Sequence, residues 1–122
     1  MNWWMLAGGL SALVCTVGHA LAGVGMFYWP IKAAIADNLQ AGVFTGMWHL
    51  ITINFALSAI ALFVLGVYGR GREAAWLAAQ FAGYAVVYLA ISLRLGGVLR
   101  LFQWMPFGIT AILAAIGAQM AH

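Results

Sequence analysis

The stretch Gly42–Tyr68 reads GVFTGMWHLITINFALSAIALFVLGVY and contains no charged residue. It exceeds the ~20 apolar residues that an α-helix needs to cross the hydrocarbon core of a membrane. The stretch nevertheless carries His49, Asn54, Thr45 and Thr52, where a helix that faces lipid would carry leucine. Because polar groups at membrane depth are costly, they usually face the interior of a helix bundle and often mark a site. We therefore interpret this stretch as the central helix of a membrane bundle.

The composition of the whole chain points to the same environment. Its 122 residues are 66% hydrophobic and 6% charged, with a mean hydropathy of +1.03. A soluble domain carries about 25% charged residues, so this chain could not cover a soluble surface, and the lipid bilayer is its expected partner. The net charge of +3 does not indicate nucleic-acid binding. The basic residues lie in short loops between apolar runs, where lipid headgroups and membrane topology explain them.

Four apolar segments predict an all-α integral membrane protein, a four-helix up-down-up-down bundle that forms a single domain over residues 1–122. The predicted helices cover residues 3–29, 42–68, 74–93 and 104–120. Pro30 is expected to end the first helix, because proline disfavours helical geometry in the residue before it. Residues 31–39 then predict a short amphipathic turn in the membrane interface. The glycines Gly69 and Gly71 predict a tight turn.

The first segment is predicted to be a retained helix rather than a signal peptide. No Lys or Arg precedes it, and its apolar pattern continues to Trp29, which a signal-peptide core does not require. Small residues make up one face of this helix: Ser11, Cys15, Gly18 and Ala22. In lipid such faces let helices approach closely, so we expect a homo-oligomer or a subunit of a larger membrane complex. Cys15 is the only cysteine, which excludes an internal disulfide.

Polar and aromatic residues on the second and third segments predict contacts inside the bundle. A ridge with a spacing of four residues consists of Trp76, Gln80, Tyr84 and Tyr88. We expect this ridge to point inward, because a buried phenol or amide needs a hydrogen-bond partner. Asn54 and Ser58 form a second stripe on the central helix. That helix should therefore contact partners on two sides.

Helix geometry predicts that several polar residues meet in one half of the membrane. Measured from the side of Pro30, His19 lies about 16 Å deep and His49 about 10 Å deep at the usual rise per residue. On the same scale Tyr84 lies at about 15 Å and Tyr88 at about 9 Å. The candidate site residues are His19, His49, Tyr84, Tyr88, Asn54, Arg94, Gln103 and Trp48, with Arg94 and Gln103 at the entrance. The terminal His122 is expected to be exposed and to lie outside this site.

Cofactor binding is the first function that such a cavity suggests. His19 and His49 come from different helices and are suited to axial ligation of haem b. The same two histidines are candidate metal ligands for copper, with Met26 or Met47 as a soft thioether ligand. The alternative interpretation is that each neutral histidine bonds a neighbouring helix and serves packing alone.

Two further functions remain open. In a small transporter or channel, the histidines would carry protons, and Arg94 and Arg100 would either hold an anionic group or extend to lipid headgroups. In a purely structural membrane subunit, the chain would only pack against larger partners. Hydrolytic catalysis is not expected, because the only acids, Asp37 and Glu73, lie in loops on opposite sides and cannot form a catalytic pair.

The basic residues do not decide the membrane orientation. Lys32, Arg94 and Arg100 belong to one side of the predicted bundle, and Arg70 and Arg72 belong to the other. The positive-inside rule depends on an excess of such residues, and three against two is too small an excess. We expect a protein of the cell (inner) membrane with four spans and cytoplasmic termini. Insertion in both orientations, giving an antiparallel dimer, is the alternative.

Overall fold

The computed structural model describes residues 1–68 and 71–121, and within these ranges the chain is helical without a strand. The elements in chain order are α1 (Trp3–Ala20), a π-helical turn (Val24–Tyr28), α2 (Trp29–Ala34), α3 (Asn38–Tyr68), α4 (Ala74–Arg94) and α5 (Trp104–Gln119). The predicted all-α class is confirmed for this part of the chain. The predicted turn at Gly69 and the predicted exposure of His122 fall on residues outside the described ranges.

Three helices are long and apolar enough to cross a membrane: Trp3–Ala34, Asn38–Tyr68 and Ala74–Arg94. The fourth, α5, is apolar but has only 16 residues, which corresponds to about 24 Å of helix. A hydrocarbon core is about 30 Å thick. The irregular segment 95–103 directly precedes α5.

The first helix does not end at Pro30, contrary to the prediction. A π-helical turn directly precedes α2, and the amide of Trp29 donates to the carbonyl of Val24, five residues earlier. Pro30 therefore lies in the first turn of a new α-helical segment. At that position its missing N–H is not needed and its ring is tolerated. The helix continues to Ala34 as a result.

The second helix begins earlier than the predicted residue 42. The carboxylate of Asp37 accepts a hydrogen bond of 2.8 Å from the amide of Gln40. Aspartate in this position satisfies an amide that the first helical turn leaves free. The predicted interfacial turn of residues 31–39 is thus mostly helix, and only residues 35–37 separate α2 from α3.

Both α1 and α5 pack closely on two sides: α1 lies between α3 and α5, and α5 lies between α1 and α4. The backbones of α3 and α4 approach each other at few points. Glycine allows the close approach of α1: a Cβ at Gly9 would lie 3.1 Å from the ring of Phe63 on α3. By backbone packing the two inner helices are therefore α1 and α5, while α3, the helix of His49, packs closely on α1 and reaches α4 mainly through side chains.

The side chain of Asn2 fixes the start of α1 to its neighbours. Its amide nitrogen donates to the carbonyl of Gly117 at 2.8 Å, and its oxygen accepts from the amide of Met5 at 3.2 Å. The backbone amide of Asn2 donates to the carbonyl of Gly66 at 2.7 Å. These bonds join α1, α3 and α5 at one end of the bundle. The opposite end is less tightly closed and contains a cavity.

A candidate ligand-binding cavity

A cavity of about 380 Å³ opens at the end of the bundle that holds the loop between α4 and α5. Ligand pockets in proteins typically measure about 300–1,000 Å³. Its wall is formed by Val14, Cys15, Gly18, His19, Ala22, Gly23, Met26, Phe27 and Ile31 from the first helix, Trp48 and Phe55 from α3, Tyr88 from α4, and Leu101, Phe102, Gln103, Pro106 and Phe107 at the start of α5. The cavity is therefore lined by residues from all four long helical segments.

The π-helical turn shapes one side of this cavity. π-helical turns are rare and frequently occur at functional sites. Gly23, which precedes the turn, allows the indole of Trp48 to approach, because a Cβ at Gly23 would lie 3.1 Å from that ring. Gly18, one turn earlier, has no neighbouring atom within 4 Å of such a Cβ. Gly18 therefore contributes open volume to the cavity, and Gly23 contributes contact with Trp48.

Aromatic rings close the inner end of the cavity. The ring of Phe55 packs edge-on against His19, with centroids 5.7 Å apart, and against Tyr84 at 5.8 Å. Phe107 lies 5.4 Å from the ring of Tyr88 and 5.3 Å from that of Phe55. These edge-to-face and tilted arrangements are the favourable ones for aromatic pairs. They also separate the cavity from the polar residues deeper in the bundle.

The loop between α4 and α5 forms one side of the cavity, and hydrogen bonds at the end of α4 hold this loop in place. Gly96 has a φ of +97°, a conformation that favours glycine. The amide of Gly97 donates to the carbonyl of Ser92, and the amide of Gly96 donates to that of Leu93, as in a Schellman motif. The hydroxyl of Ser92 donates to the carbonyl of Gly97 at 2.6 Å and accepts from the amide of Leu101 at 2.9 Å. The loop is thereby folded back so that residues 101–103 line the cavity.

His19 stands at the cavity wall and is held by Trp48. The two rings stack with centroids 4.1 Å apart and planes 20° apart. The Nε2 atom of His19 lies 3.3 Å from the backbone carbonyl oxygen of Trp48. Because a carbonyl oxygen only accepts, Nε2 carries the proton of the neutral ring, and Nδ1 remains an acceptor. The imidazole is thus fixed in one tautomer.

Two polar atoms of cavity residues have no hydrogen-bond partner among residues 1–68 and 71–121. They are the indole nitrogen Nε1 of Trp48 and the amide oxygen Oε1 of Gln103, and both are buried. A buried polar group without a partner costs roughly 1–3 kcal/mol, and such groups are few in native proteins. One of these atoms donates and the other accepts, and both are shielded by neighbouring atoms, so a molecule in the cavity reaches them only if the two side chains turn.

The cavity lining carries no formal charge. None of its residues is Lys, Arg, Asp or Glu. Arg94 and Arg100 are exposed and do not belong to the lining, although Arg94 had been expected at the entrance. The site is therefore suited to an uncharged ligand, because a buried charge needs an opposite charge or strong hydrogen bonds.

The structure separates the candidate site residues into three groups. His19, Trp48, Tyr88 and Gln103 line the cavity. Asn54 and Tyr84 belong to a hydrogen-bonded network between α3 and α4. His49 and Arg94 are exposed. The predicted single cluster in one half of the bundle is thus a cavity with four of the predicted residues and a separate network deeper in the bundle.

The network between α3 and α4 contains the polar stripes predicted on the two helices. The amide of Asn54 donates to the hydroxyl of Tyr84 at 2.7 Å. The amide of Gln80 donates to Asn54 Oδ1 at 3.5 Å and to the hydroxyl of Ser58 at 3.3 Å. Trp76 belongs to the same predicted ridge, but its side chain is 81% exposed. Long polar side chains therefore join two helices whose backbones are well separated.

His49 lies near a second cluster, at the junction of α2 and α3. Its ring centroid is 6.2 Å from that of Tyr28. The hydroxyl of Tyr28 accepts from Nζ of Lys32 at 3.1 Å and lies 3.1 Å from the hydroxyl of Thr45. The ammonium group of Lys32 also lies 5.4 Å from the ring of Trp29. This cluster fastens α2 to α3, and His49 lies outside the cavity wall.

The metal-ligating residues do not assemble as predicted around two histidines. His19 lines the cavity and His49 does not, so the cavity offers one imidazole. Among the residues that the structure describes, no group of three or more His, Cys, Asp or Glu is placed to hold a metal ion. Cys15 and Met26, which have soft sulfur atoms, line the same cavity as His19.

Several residues that build the cavity carry no signal that sequence reasoning used. Ser92 is completely buried, yet in the sequence it is a single serine near a helix end. Phe55 and Phe107 look like ordinary apolar residues, and only packing places them beside His19 and Tyr88. The pair Gly96-Gly97 after an apolar helix is a signal for a helix end and indicates the folded loop.

Comparisons of the chain with protein-family models, with curated proteins and with solved structures find no match. Any function must therefore be argued from the cavity and from the chemistry of its lining.

Proposed function

We propose that this chain is an integral membrane protein with four spans that binds a small, largely apolar and uncharged molecule in the cavity beside His19 and Trp48. The length and hydropathy of three helices support the membrane environment, as does the large number of exposed apolar side chains along them. Such exposure is rare for a soluble monomer. The fourth span in this proposal consists of α5 together with the segment that precedes it.

The observation that carries the proposal is the combination of an apolar cavity with an unpaired donor and an unpaired acceptor. Ligand sites are mostly apolar with a few polar groups that orient the ligand. The cavity has this character, and Trp48 Nε1 and Gln103 Oε1 are buried polar atoms left without partners. A bound molecule that supplied both partners would remove the free-energy cost of leaving these two buried atoms without hydrogen bonds.

In this proposal the chain acts as a binding subunit, alone as an oligomer or within a larger membrane complex. Its small size and its exposed apolar helix faces support a role beside other membrane helices. The cell (inner) membrane as location and the cytoplasmic termini stay predictions from the sequence. Transport stays an alternative, because a cavity at one end of a bundle is also what a substrate site requires.

The test of cavity binding is to fill the cavity. Gly18→Leu adds a side chain where no atom lies within 4 Å of the new Cβ, so the protein should fold normally with a narrower cavity. Gly83→Leu is the matched control, because Gly83 on α4 is equally unobstructed and does not line the cavity. Both variants and the wild type would be purified gently from native membranes, and co-purifying small molecules would be extracted and identified by mass spectrometry.

We expect a stoichiometric small molecule in the wild type and in Gly83→Leu, and its loss from Gly18→Leu. If the three proteins yield the same extract, or if no molecule is retained above the level of bulk lipid, the cavity is not a ligand site.

A second candidate function, metal or haem binding, is favoured by the tautomer of His19. Histidines that ligate metals commonly donate their other N–H to a backbone carbonyl. His19 makes that bond to Trp48, and Cys15 and Met26 line the same cavity. Copper(I), held by soft ligands, would be compatible with these residues. A haem with one imidazole ligand would need its two anionic propionates to lie outside the uncharged lining.

This candidate is tested by visible spectra of the oxidised and reduced protein together with metal analysis. His19→Ala should strip the colour or the metal. His49→Ala should leave it, because His49 is exposed and does not line the cavity. A colourless and metal-free wild type, or equal loss in both variants, would remove this candidate and leave the binding of an organic molecule.

A further inference from the structure

Given the proposed function, on which this inference rests, we propose that the ligand carries an uncharged aromatic ring with a hydroxyl group, the chemistry of a phenol, held by hydrogen bonds from Trp48 and to Gln103. The inference combines four properties of the cavity: its charge, its unpaired donor, its unpaired acceptor and its aromatic lining.

The absence of formal charge in the lining limits the ligand head to neutral groups. A carboxylate or phosphate in this cavity would be buried without a Lys or Arg, because Arg94 and Arg100 are exposed and outside the lining. A buried unpaired charge is far more costly than a neutral polar group. An ammonium head would equally lack an acidic partner, since no Asp or Glu lines the cavity.

The two unpaired atoms specify the hydrogen bonds that the head must make. An indole nitrogen can only donate, so Trp48 requires an acceptor on the ligand. Gln103 Oε1 can only accept, so Gln103 requires a donor. A hydroxyl group is the smallest neutral group that both donates and accepts. The free Nδ1 of His19 is a second acceptor at the same wall, which again favours a ligand that donates.

The aromatic lining favours a flat ring as the body of the ligand. Six aromatic side chains line the cavity: Phe27, Trp48, Phe55, Tyr88, Phe102 and Phe107. Aromatic rings gain from stacked or edge-to-face contact beyond the burial of their area. An aromatic ring with a hydroxyl group and an alkyl tail therefore fits the cavity in shape, in polarity and in charge.

Binding in this manner requires a small movement of two side chains. Trp48 Nε1 and Gln103 Oε1 are shielded by neighbouring atoms, although both residues line the cavity. The amide of Gln103 must rotate, and the indole of Trp48 must tilt against its stacking on His19 and its contact with Gly23, before the two atoms face the ligand. The bonds gained replace none that the two atoms already make, because neither has a partner in the described part of the chain.

The experiment compares four probes that share one alkyl tail, with the full chain in lipid nanodiscs and with empty nanodiscs as the reference for partition into lipid. The probes are para-hexylphenol, para-hexylanisole, hexylbenzene and para-hexylbenzoate. The phenol donates and accepts, the anisole only accepts, hexylbenzene does neither, and the benzoate is charged. Affinities would be measured by equilibrium dialysis for the wild type, Trp48→Phe, Gln103→Leu and the control Trp29→Phe, which changes an exposed tryptophan outside the cavity.

The phenol should bind tightest, and each missing hydrogen bond should weaken binding roughly 3- to 10-fold. Gln103→Leu should lower the affinity for the phenol to that for the anisole and leave the anisole unchanged. Trp48→Phe should weaken the phenol and the anisole more than hexylbenzene, which loses only part of one aromatic wall. Trp29→Phe should change none of them. Equal affinity of the phenol and hexylbenzene, or tighter binding of the anisole or of the benzoate than of the phenol, would overturn this inference.

Two further outcomes separate this inference from the proposed function. If hexylbenzene and the phenol bind equally but Gly18→Leu abolishes both, the cavity binds ligands and only the phenolic head is wrong. If no probe binds above the empty nanodiscs, the proposed function itself fails.

Thermal unfolding without ligand adds an independent readout. Since Gln103→Leu removes an unpaired acceptor, it should not lower the unfolding temperature. The double variant Gln103→Leu/Trp48→Phe provides a further check. If its loss of stability differs from the sum of the two single losses, the two residues bond each other, and this also overturns the inference.

Discussion

At the scale of single residues, two glycines determine how closely the end of α1 packs against α3 and α5. A Cβ at Gly66 would lie 2.8 Å from Leu6 Cδ2 and 3.1 Å from the backbone nitrogen of Leu6. A Cβ at Gly117 would lie 2.6 Å from Met5 Cγ and 3.1 Å from its backbone nitrogen. Side-chain atoms can move aside, but a backbone atom moves only with the helix. We expect Gly66→Ala and Gly117→Ala each to lower the free energy of unfolding by about 1–3 kcal/mol.

Matched glycines in open positions provide the control for this prediction. Gly46 and Gly83 lie inside helices with no atom within 4 Å of an added Cβ. Alanine there should leave stability unchanged or raise it by about 0.5–1 kcal/mol, because glycine is unfavourable inside a helix. Unfolding in mixed micelles, followed by circular dichroism, measures all four variants. Equal effects at the close and the open positions would contradict the packing described here.

Ser92 is the residue on which the loop wall of the cavity depends. Its hydroxyl bonds both the carbonyl of Gly97 and the amide of Leu101, and its side chain is completely buried. Ser92→Ala leaves the partly buried amide of Leu101 without its partner, while the carbonyl of Gly97 still accepts from the amide of Arg100. The change should cost about 1–3 kcal/mol of stability. Hydrogen exchange at the amide of Leu101 should accelerate, and ligand affinity should fall as the wall loosens.

Thr16→Ala serves as the control for Ser92→Ala. The hydroxyl of Thr16 bonds only the carbonyl of Ala12 within its own helix, at 2.9 Å, so its loss leaves the cavity wall in place. Unchanged exchange at Leu101 in Ser92→Ala would show that the loop is held by its backbone bonds alone.

The sequence identifies candidate residues for the site, but it does not show which way their side chains point. Four of the eight candidate residues line the cavity. Helix geometry predicts that His49 lies at nearly the depth of His19, and depth follows from residue number alone. The direction of a side chain does not follow from residue number alone. Trp48 and His49 are adjacent, and their side chains point about 100° apart on a helix. The packing of Gly23 against Trp48 decided which of the two faces the cavity, and no local pattern encodes that contact.

At the scale of elements, α3 and α4 are held together by polar side chains more than by backbone proximity. The bond from Asn54 to Tyr84, at 2.7 Å, is the shortest side-chain link between them. Hydrogen bonds between membrane helices contribute about 0.6 kcal/mol on average and at most about 1.7 kcal/mol. We expect a double-mutant cycle of Asn54→Leu and Tyr84→Phe to give a coupling energy in this range. The backbones of α3 and α4 approach each other at few points, but Phe55 also packs against Phe81 and Tyr84. The distance between spin labels on the two helices should therefore increase only slightly.

Thr52→Val is the control for this pair, because the hydroxyl of Thr52 bonds the carbonyl of Trp48 in its own helix. It should change neither the coupling nor the distance between the helices. Strict additivity of Asn54→Leu and Tyr84→Phe would mean that the bond contributes nothing in the membrane.

The elements themselves were predictable because apolar length and helix-ending residues are local properties. The starts of α4 and α5 fall at the predicted residues 74 and 104. The errors arose where two local signals compete. Pro30 normally indicates a helix end, but the π-helical turn before it allows the helix to continue. Asp37 is a helix-starting residue inside a stretch that also looked like an interfacial turn. Which signal prevails depends on packing against α3, which the sequence does not display.

At the scale of the whole molecule, the chain is so weakly charged that, in the proposed membrane arrangement, a single residue should influence its orientation. Lys32, Arg94 and Arg100 lie toward one end of the bundle, and Arg70 and Arg72 belong to the other by sequence. Arg94 and Arg100 are exposed and do not line the cavity, so they count toward orientation as ordinary basic residues. The positive-inside rule favours whichever end carries more Lys and Arg.

We therefore expect Arg72→Gln to raise the fraction of molecules whose termini face outward, and Arg94→Gln combined with Arg100→Gln to lower it. Arg72→Lys keeps the charge and should leave the fraction unchanged. Orientation would be measured in intact cells with a membrane-impermeant maleimide, on single cysteines introduced by Ala36→Cys or Ala75→Cys in a Cys15→Ala background. Ala36 and Ala75 are exposed near opposite ends of the bundle, so the two sites should respond in opposite directions. Identical labelling in every variant would mean that contacts with a partner, rather than loop charge, fix the orientation. Labelling of both sites in the wild type would instead identify a protein that inserts in two orientations, for which the antiparallel dimer is the expected assembly.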